Sequence, residues 1–311
     1  MTTINARVAE ARHRLLGAGI EHDEAALDAR LLAQAVLGWD TTQILTSGDE
    51  LEPPAFAAQY DELISRRAHR EPLPYITGTR EFWNLTFEVS PAVLVPRPET
   101  EGLIEAANEL FPDRDGPLTI ADVCTGSGCV AVALAVEHRH AQVVATDLSA
   151  AALEVARRNT VRHGVTARVS CVPGDLLQPL TGAFDLIVAN PPYVPSGDRP
   201  RLPPEVRDFE PETALFAGDD GLAVIRRLVT ESPDRLARHG YLVFEFGDGQ
   251  ELAIRELIAA SDMLRMVEIK RDLQGIPRIA IARVSERQSG NLEPTTKNLE
   301  PGTKNAEPGT V

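Results

Sequence analysis

The chain has 311 residues, 43% apolar and 25% charged, the composition of a globular protein large enough to bury a core without metal or disulfide staples. A formal charge of -15 weighs against a protein built to neutralise phosphates, so direct nucleic-acid binding is not expected. No apolar run nears the roughly 20 residues that a bilayer demands, and the N-terminus lacks an apolar signal core. Three cysteines without CxxC spacing fit reduced thiols in the cytoplasm, and seven scattered histidines give no metal-ligand spacing.

Residues 4–70 read as helices. "ARVAEARHRLLGAG" carries apolar residues at 3–4 spacing and ends on glycines, and "EHDEAALDARLLAQAVLG" repeats the pattern. "PPAFAAQYDELISRRA" opens with proline, as an N1 residue would. The basic stretch "SRRAHR" at 65–70 is expected to be a solvated helix face. From 72 to 96 the texture shifts to β-branched and aromatic residues broken by Gly, Pro and Asn, which predicts a short hairpin connector. Beyond 98, strands expected at 118–123, 142–146, 167–172, 184–189, 240–245, 264–270 and 278–283 alternate with helices. That rhythm predicts an α/β fold with an open, mostly parallel sheet, whose ligands lie beyond the carboxyl ends of the strands. The tail from Asn291 to Val311 is a seven-residue unit written three times, with a proline in each, and is expected to be disordered.

Two glycines, Gly126 and Gly128, follow the first strand of this sheet and precede an apolar helix, where they permit a tight turn and close ligand approach. The segment from Gly126 to Ala131 also fits the GxGxxA form of a dinucleotide site, so a nicotinamide oxidoreductase stands as one alternative. Asp147 closes the next strand 19 positions after Gly128, where a ribose diol would be met, or else it caps the helix near Ser149. Asp122 precedes the turn and is placed to hold an ammonium group, while a carboxylate facing a pyrophosphate would repel it. Asp175, after the third strand, suits an adenine amino group. Acids at successive strand ends favour S-adenosylmethionine, a cation without phosphate.

"FDLIVANPPYVP", residues 184–195, ends a core strand on Asn190, Pro191, Pro192 and Tyr193. This corner resembles the motif of class I methyltransferases that alkylate a planar amide or amine nitrogen. The Asn190 oxygen and the Pro191 carbonyl can each accept one N–H of an NH2 group, the Tyr193 ring can stack on its plane, and the prolines fix the backbone. Further segments carry a closer resemblance: "PLPYITGTREFWNLTFEVSPAVLVPRPETEGLIE" at 72–105, "FEPETALFAGDDGL" at 209–222 and "DLQGIPR" at 272–278. With the NPPY corner they are similar to the protein-(glutamine-N5) methyltransferases of peptide-chain release factors, the PrmC/HemK family, from the N-terminal helices to about residue 284.

The resemblance implies a class I S-adenosylmethionine-dependent methyltransferase with a Rossmann-like, seven-stranded, mostly parallel sheet. It implies a helical domain at 1–71 that grips the substrate protein, a connector at 72–97, the catalytic domain at 98–285 and a tail at 286–311. Cys124, Thr125, Gly126, Ser127 and Gly128 would line the methionine end of the cofactor, Asp147 the ribose, Asp175 and Leu176 the adenine. Asn190 to Tyr193 would hold the glutamine of the Gly-Gly-Gln loop of class I release factors, in a cytoplasmic monomer. "FEFGDGQ" at 244–250 departs from the family's usual Glu-(His/Ile)-Gly, and Leu176 replaces the aromatic of some members. Two alternatives remain: a DNA adenine-N6 methyltransferase, which shares the corner and needs a basic face, and a non-enzymatic protein that tethers a partner.

Overall fold

The computed structural model describes residues 2–285; the repeat tail lies outside the described residues. Four helices form the N-terminal unit: α1 (Ile4–Gly17), α2 (His22–Leu37), α3 (Thr41–Ser47) and α4 (Phe56–Ala68). Thr3 caps α1 by accepting from Ala6 N (3.2 Å), and Gly38 ends α2 in the left-handed region that glycine adopts freely. Leu15, Leu32, Phe56, Tyr60 and Ile64 are buried together as a core separate from that of the sheet. The prolines expected at N1 of α4 instead sit in the turn before it, because Ala55 is the N-cap residue.

The expected hairpin is shorter than its segment. Residues 73–77 form one helical turn, α5 (Leu73–Thr77), which follows Pro72 and ends on Gly78 at φ 75°. Only β1 (Thr79–Phe82) and β2 (Leu85–Glu88) pair, through a two-residue turn in which Trp83 and Asn84 both have positive φ. Such a turn carries the twist that suits a tight antiparallel pair. Trp83 anchors the hairpin, its Nε1 donating to Glu137 Oε1 (2.7 Å).

The main sheet has seven strands in the order β5-β4-β3-β6-β7-β9-β8. They are β3 (Leu118–Val123), β4 (Ala141–Asp147), β5 (Val169–Pro173), β6 (Phe184–Ala189), β7 (Leu236–Glu245), β8 (Leu264–Arg271) and β9 (Pro277–Val284). All pairings are parallel except those of β9 with β7 and β8. One face is covered by α6 (Glu101–Leu110) and α7 (Cys129–Glu137), and α8 (Ala150–Arg162) packs beside α7 against β4 and β5. After the short α9 (Pro204–Phe209), α10 (Ala223–Glu231) and α11 (Glu251–Ala259) cover the other face. The β3 and β6 runs are apolar because both faces are buried; Ile120, Leu186, Ile187 and Val188 have no exposed surface. Strand order reverses between β3 and β6, and such a reversal opens a crevice at the carboxyl ends.

The basic stretch at 65–70 is not a solvated face. Arg67 is 1% exposed, with Nε donating to Asp28 Oδ2 (2.6 Å), Nη2 to Glu24 Oε1 (2.8 Å) and Nη1 to Glu205 Oε1 (2.9 Å). Arg70 donates to the other Glu205 oxygen (2.8 Å). Glu205 lies on α9, so this buried cluster ties the N-terminal helices to the segment that follows the NPPY corner. Burial raises the Glu205 carboxyl, but hydrogen bonds from Arg67 and Arg70 outweigh it and hold the group below its ordinary value.

Candidate active site

The register of β3 and β6 builds the site. Val123 pairs with Ala189, so Asn190 emerges beside Cys124 at the strand reversal, next to the glycine turn. The turn itself alternates sign: Cys124 has φ 60°, Gly126 56° and Gly128 78°. Cys124 and Leu176 (φ 50°), neither of them glycine, both border the cavity, and strain of this kind collects where function demands a fixed backbone. Asn159 of α8, fully buried, donates to Ser127 O (2.9 Å) and Glu88 O (3.0 Å), bracing the turn against the hairpin.

A cavity of about 250 Å3 opens at this crevice. Asp122, Cys124, Thr125, Gly126 and Ser127 form one wall, and Asp147, Asp175 and Leu176 another. Asn190 and Pro192 border it from β6. Gly128, Pro191 and Tyr193 do not. A Cβ on Gly128 would meet the Ala156 Cβ at 3.0 Å, so that glycine serves the packing of α7 on α8. Tyr193 stands behind the corner, half-buried, with its ring against Gly247.

Asp122 is 1% exposed and accepts from Thr125 Oγ1 (2.5 Å) and Ala131 N (3.0 Å). Burial outweighs both bonds and pushes its carboxyl up to about 7. Asp147 accepts from Gly126 N (2.9 Å) and Ser149 N (2.8 Å), so it braces the glycine turn as well as the start of α8. Ser149, rather than Asp147, is the N-cap residue of α8. Burial also raises Asp147, against those backbone bonds. Asp175 Oδ1 accepts from Arg227 Nη1 (3.0 Å), leaving its other oxygen free of that pair.

Asn190 is held by partners that the sequence reading did not assign. Its Nδ2 donates to Thr100 Oγ1 (3.0 Å), Thr100 Oγ1 donates to Glu245 Oε2 (2.7 Å), and Tyr193 OH donates to Glu245 Oε1 (2.9 Å). Glu245, at the end of β7, is 1% exposed and burial raises its carboxyl. Burial and the facing Glu245 push the Tyr193 phenol well above its ordinary value. Gln250 Nε2 donates to the Tyr193 carbonyl (3.0 Å), and Arg97 Nη2 holds Glu210 Oε2 (2.6 Å) in the segment after the corner. Thr100 and Arg97 lie in "PRPETE" and Glu245 and Gln250 in "FEFGDGQ", so the segments were visible although the bonds were not.

The cavity fits S-adenosylmethionine. Three carboxylates face it, while the cation on its wall among the described residues, Arg227, is paired with Asp175 and Glu231. Such a lining repels a pyrophosphate and favours a cation. Leu148, 71% exposed at the rim, and Leu176 offer apolar surface for a flat ring. Among the described residues no group of acids, histidines and cysteines could hold a metal ion, and no helix is long and apolar enough to cross a membrane.

Sheet order, strand reversal, glycine turn and acidic cavity together define a class I S-adenosylmethionine-dependent methyltransferase. The sequence profile of the PrmC N-terminal domain matches residues 8–78, and that of the methyltransferase small domain matches residues 107–200. A release factor glutamine methyltransferase from Bradyrhizobium diazoefficiens is 44% identical over 272 residues, covering 87% of this chain and 91% of that protein. One from Nitratidesulfovibrio vulgaris is 40% identical over 284 residues, covering 90% and 95%. The hMettl16 catalytic domain, solved in complex with MAT2A 3'UTR hairpin 1, aligns with a TM-score of 0.53 over 82% of this chain and 92% of that chain. At 17% identity that is a likeness of fold alone. The chain belongs to the release factor glutamine methyltransferase family.

Proposed function

We propose that this enzyme transfers the methyl group of S-adenosylmethionine to the side-chain nitrogen, N5, of the glutamine in the Gly-Gly-Gln motif of class I peptide-chain release factors. The observation that carries the reading is the position of Asn190, whose Nδ2 is tied to Thr100 while its oxygen remains for a substrate N–H at the edge of the acidic cavity. Relatives of near full-length coverage bear the name release factor glutamine methyltransferase. The release factor meets the chain as a protein substrate in the cytoplasm. One copy suffices, since a single chain supplies both cavity and corner.

Bound S-adenosylmethionine supplies an electrophilic sulfonium methyl. Asp122 would hold its ammonium end, the Cys124–Ser127 turn its methionine portion, Asp147 the ribose diol, and Asp175 and Leu176 the adenine. A glutamine amide nitrogen shares its lone pair with its carbonyl and is a weak nucleophile, so the task left to the protein is orientation. Asn190 Oδ1 and the Pro191 carbonyl each accept one N–H, and Tyr193, tied behind the corner to Glu245 and Gln250, keeps those two acceptors in place. Orientation of this kind lowers a barrier by as much as ~7–11 kcal/mol in favourable cases. As the N–C bond forms, the methyl's bond to sulfur breaks and S-adenosylhomocysteine leaves; the nitrogen then sheds its extra proton to water, so the corner requires no strong base, and Asn190 to Tyr193 contains none.

The test is mass spectrometry of a release factor incubated with the enzyme and labelled cofactor, comparing wild type with Asn190→Ala. Wild type adds one methyl to the glutamine; the variant loses at least about 100-fold in transfer rate. Affinity for S-adenosylhomocysteine changes much less. An Asn190→Ala enzyme with full turnover removes the mechanism.

A further inference from the structure

The NPPY corner is only half of a longer hydrogen-bonded chain, and its direction is set at the far end. Glu245 receives two hydroxyl protons, from Thr100 (2.7 Å) and from Tyr193 (2.9 Å), one on each oxygen. A threonine hydroxyl has one proton and two lone pairs. With its proton committed to Glu245, Thr100 Oγ1 can only accept from Asn190, at 3.0 Å. The carboxamide must therefore turn its NH2 inward and its oxygen outward. Thr100 and Glu245 are 1% exposed, so water does not compete for either group. The three elements meet only in the fold: Thr100 opens α6, Asn190 ends β6 and Glu245 ends β7.

We infer that Thr100 and Glu245 are positioning residues that fix the amide polarity of Asn190, so that the site accepts the donor NH2 of glutamine and rejects the acceptor-only carboxylate of glutamate. The inference rests on the release-factor reading above and adds to it the origin of acceptor specificity. A glutamate side chain in the same place would set its oxygens against Asn190 Oδ1 and the Pro191 carbonyl, leaving acceptors facing acceptors. Sites built to pair a polar group discriminate strongly against an analogue that cannot pair. The Glu245 contact to Tyr193 couples the second element of the corner to the same carboxylate, so one buried group aligns both.

Thr100→Val keeps the volume and removes the hydroxyl; Thr100→Ser keeps the hydroxyl. Two readouts separate the parts of the claim. Without any substrate, the Asn190 side-chain amide resonance, assigned by its loss in Asn190→Ala, shows a protected, slowly exchanging proton in wild type and Thr100→Ser and fast exchange in Thr100→Val. With substrate, in the presence of S-adenosylhomocysteine, wild type prefers the native release factor over its glutamine-to-glutamate variant. Thr100→Val narrows that preference roughly tenfold, the scale of one lost hydrogen bond. It lowers kcat while KM for the cofactor stays within about twofold, because its effect is confined to orientation. Thr100→Ser restores both values. Unchanged amide exchange and unchanged discrimination in Thr100→Val, with its melting temperature preserved, overturn the inference, as does an equal loss in Thr100→Ser. A normal amide signature alongside absent methylation of the release factor by wild type overturns the substrate reading instead.

Discussion

Asp122 is held in the cavity wall at a cost to the fold, and that cost can be measured. In the folded chain its carboxyl is pushed up from an ordinary 3.8 to about 7 by burial. Between those values the folded protein keeps a proton that the unfolded chain has released. Stability is therefore full below about pH 4 and is lost as pH rises through 7. Each pH unit across that window weighs about 1.4 kcal/mol, so the ionised carboxylate costs the cofactor-free fold about 4 kcal/mol. Asp122→Asn is isosteric, uncharged at every pH, and keeps an oxygen to accept from Thr125 Oγ1 and Ala131 N. The variant should be up to about 4 kcal/mol more stable than wild type at pH 8, with the gap shrinking toward pH 4. Its affinity for S-adenosylhomocysteine should fall about 10- to 100-fold, as expected when a charged hydrogen bond to an ammonium is lost. Urea titrations at pH 4.5 and pH 8, with calorimetric titration of the ligand, read both effects. A variant no more stable than wild type at pH 8, or one that binds the ligand equally well, refutes the reasoning.

Gly221 has φ 74°, and a side chain there would press on the Tyr193 carbonyl and come within 2.8 Å of Gln250 Nε2. Gly221→Ala should displace the corner, lowering methyl transfer at least about tenfold while ligand affinity measured by calorimetry holds. Arg67→Ala strands the buried Asp28 carboxylate, leaves Glu205 with Arg70 alone, and should destabilise the protein by about 3–5 kcal/mol in urea titration. A loss under about 1 kcal/mol would mean that the cluster is solvated rather than buried.

What was legible in the sequence was whatever a single segment reports about itself. The apolar runs of β3 and β6 fixed both strands to the residue, because central strands buried on both faces admit little else. Acids at three strand ends and the glycine turn converge on one cavity because parallel strands deliver their carboxyl ends to the same edge. The one-turn helix α5 was hidden by β-branched and aromatic residues, whose local preference yielded to Pro72 and Gly78 at its two ends. α3 lies within the stretch read as helical but shows no periodicity of its own, because "TTQILTS" is short and polar; its signal is the reciprocal cap of Asp40 and Gln43. The largest misses depend on partners far along the chain. Thr100 lies 145 positions from Glu245, and Arg67 lies 138 from Glu205, separations at which no periodicity points from one residue to the other.

The Arg67 cluster also bears on how this enzyme can be re-engineered. Its guanidinium is shared between carboxylates of the helical unit and one beyond the NPPY corner, so the N-terminal helices are not a cassette that lifts out cleanly. A chimera that imports helices from a distant relative must bring in an arginine matched to Glu205, or neutralise that carboxylate as well. Otherwise the graft leaves a naked charge at the joint, and the chimera misfolds before its activity can be assayed.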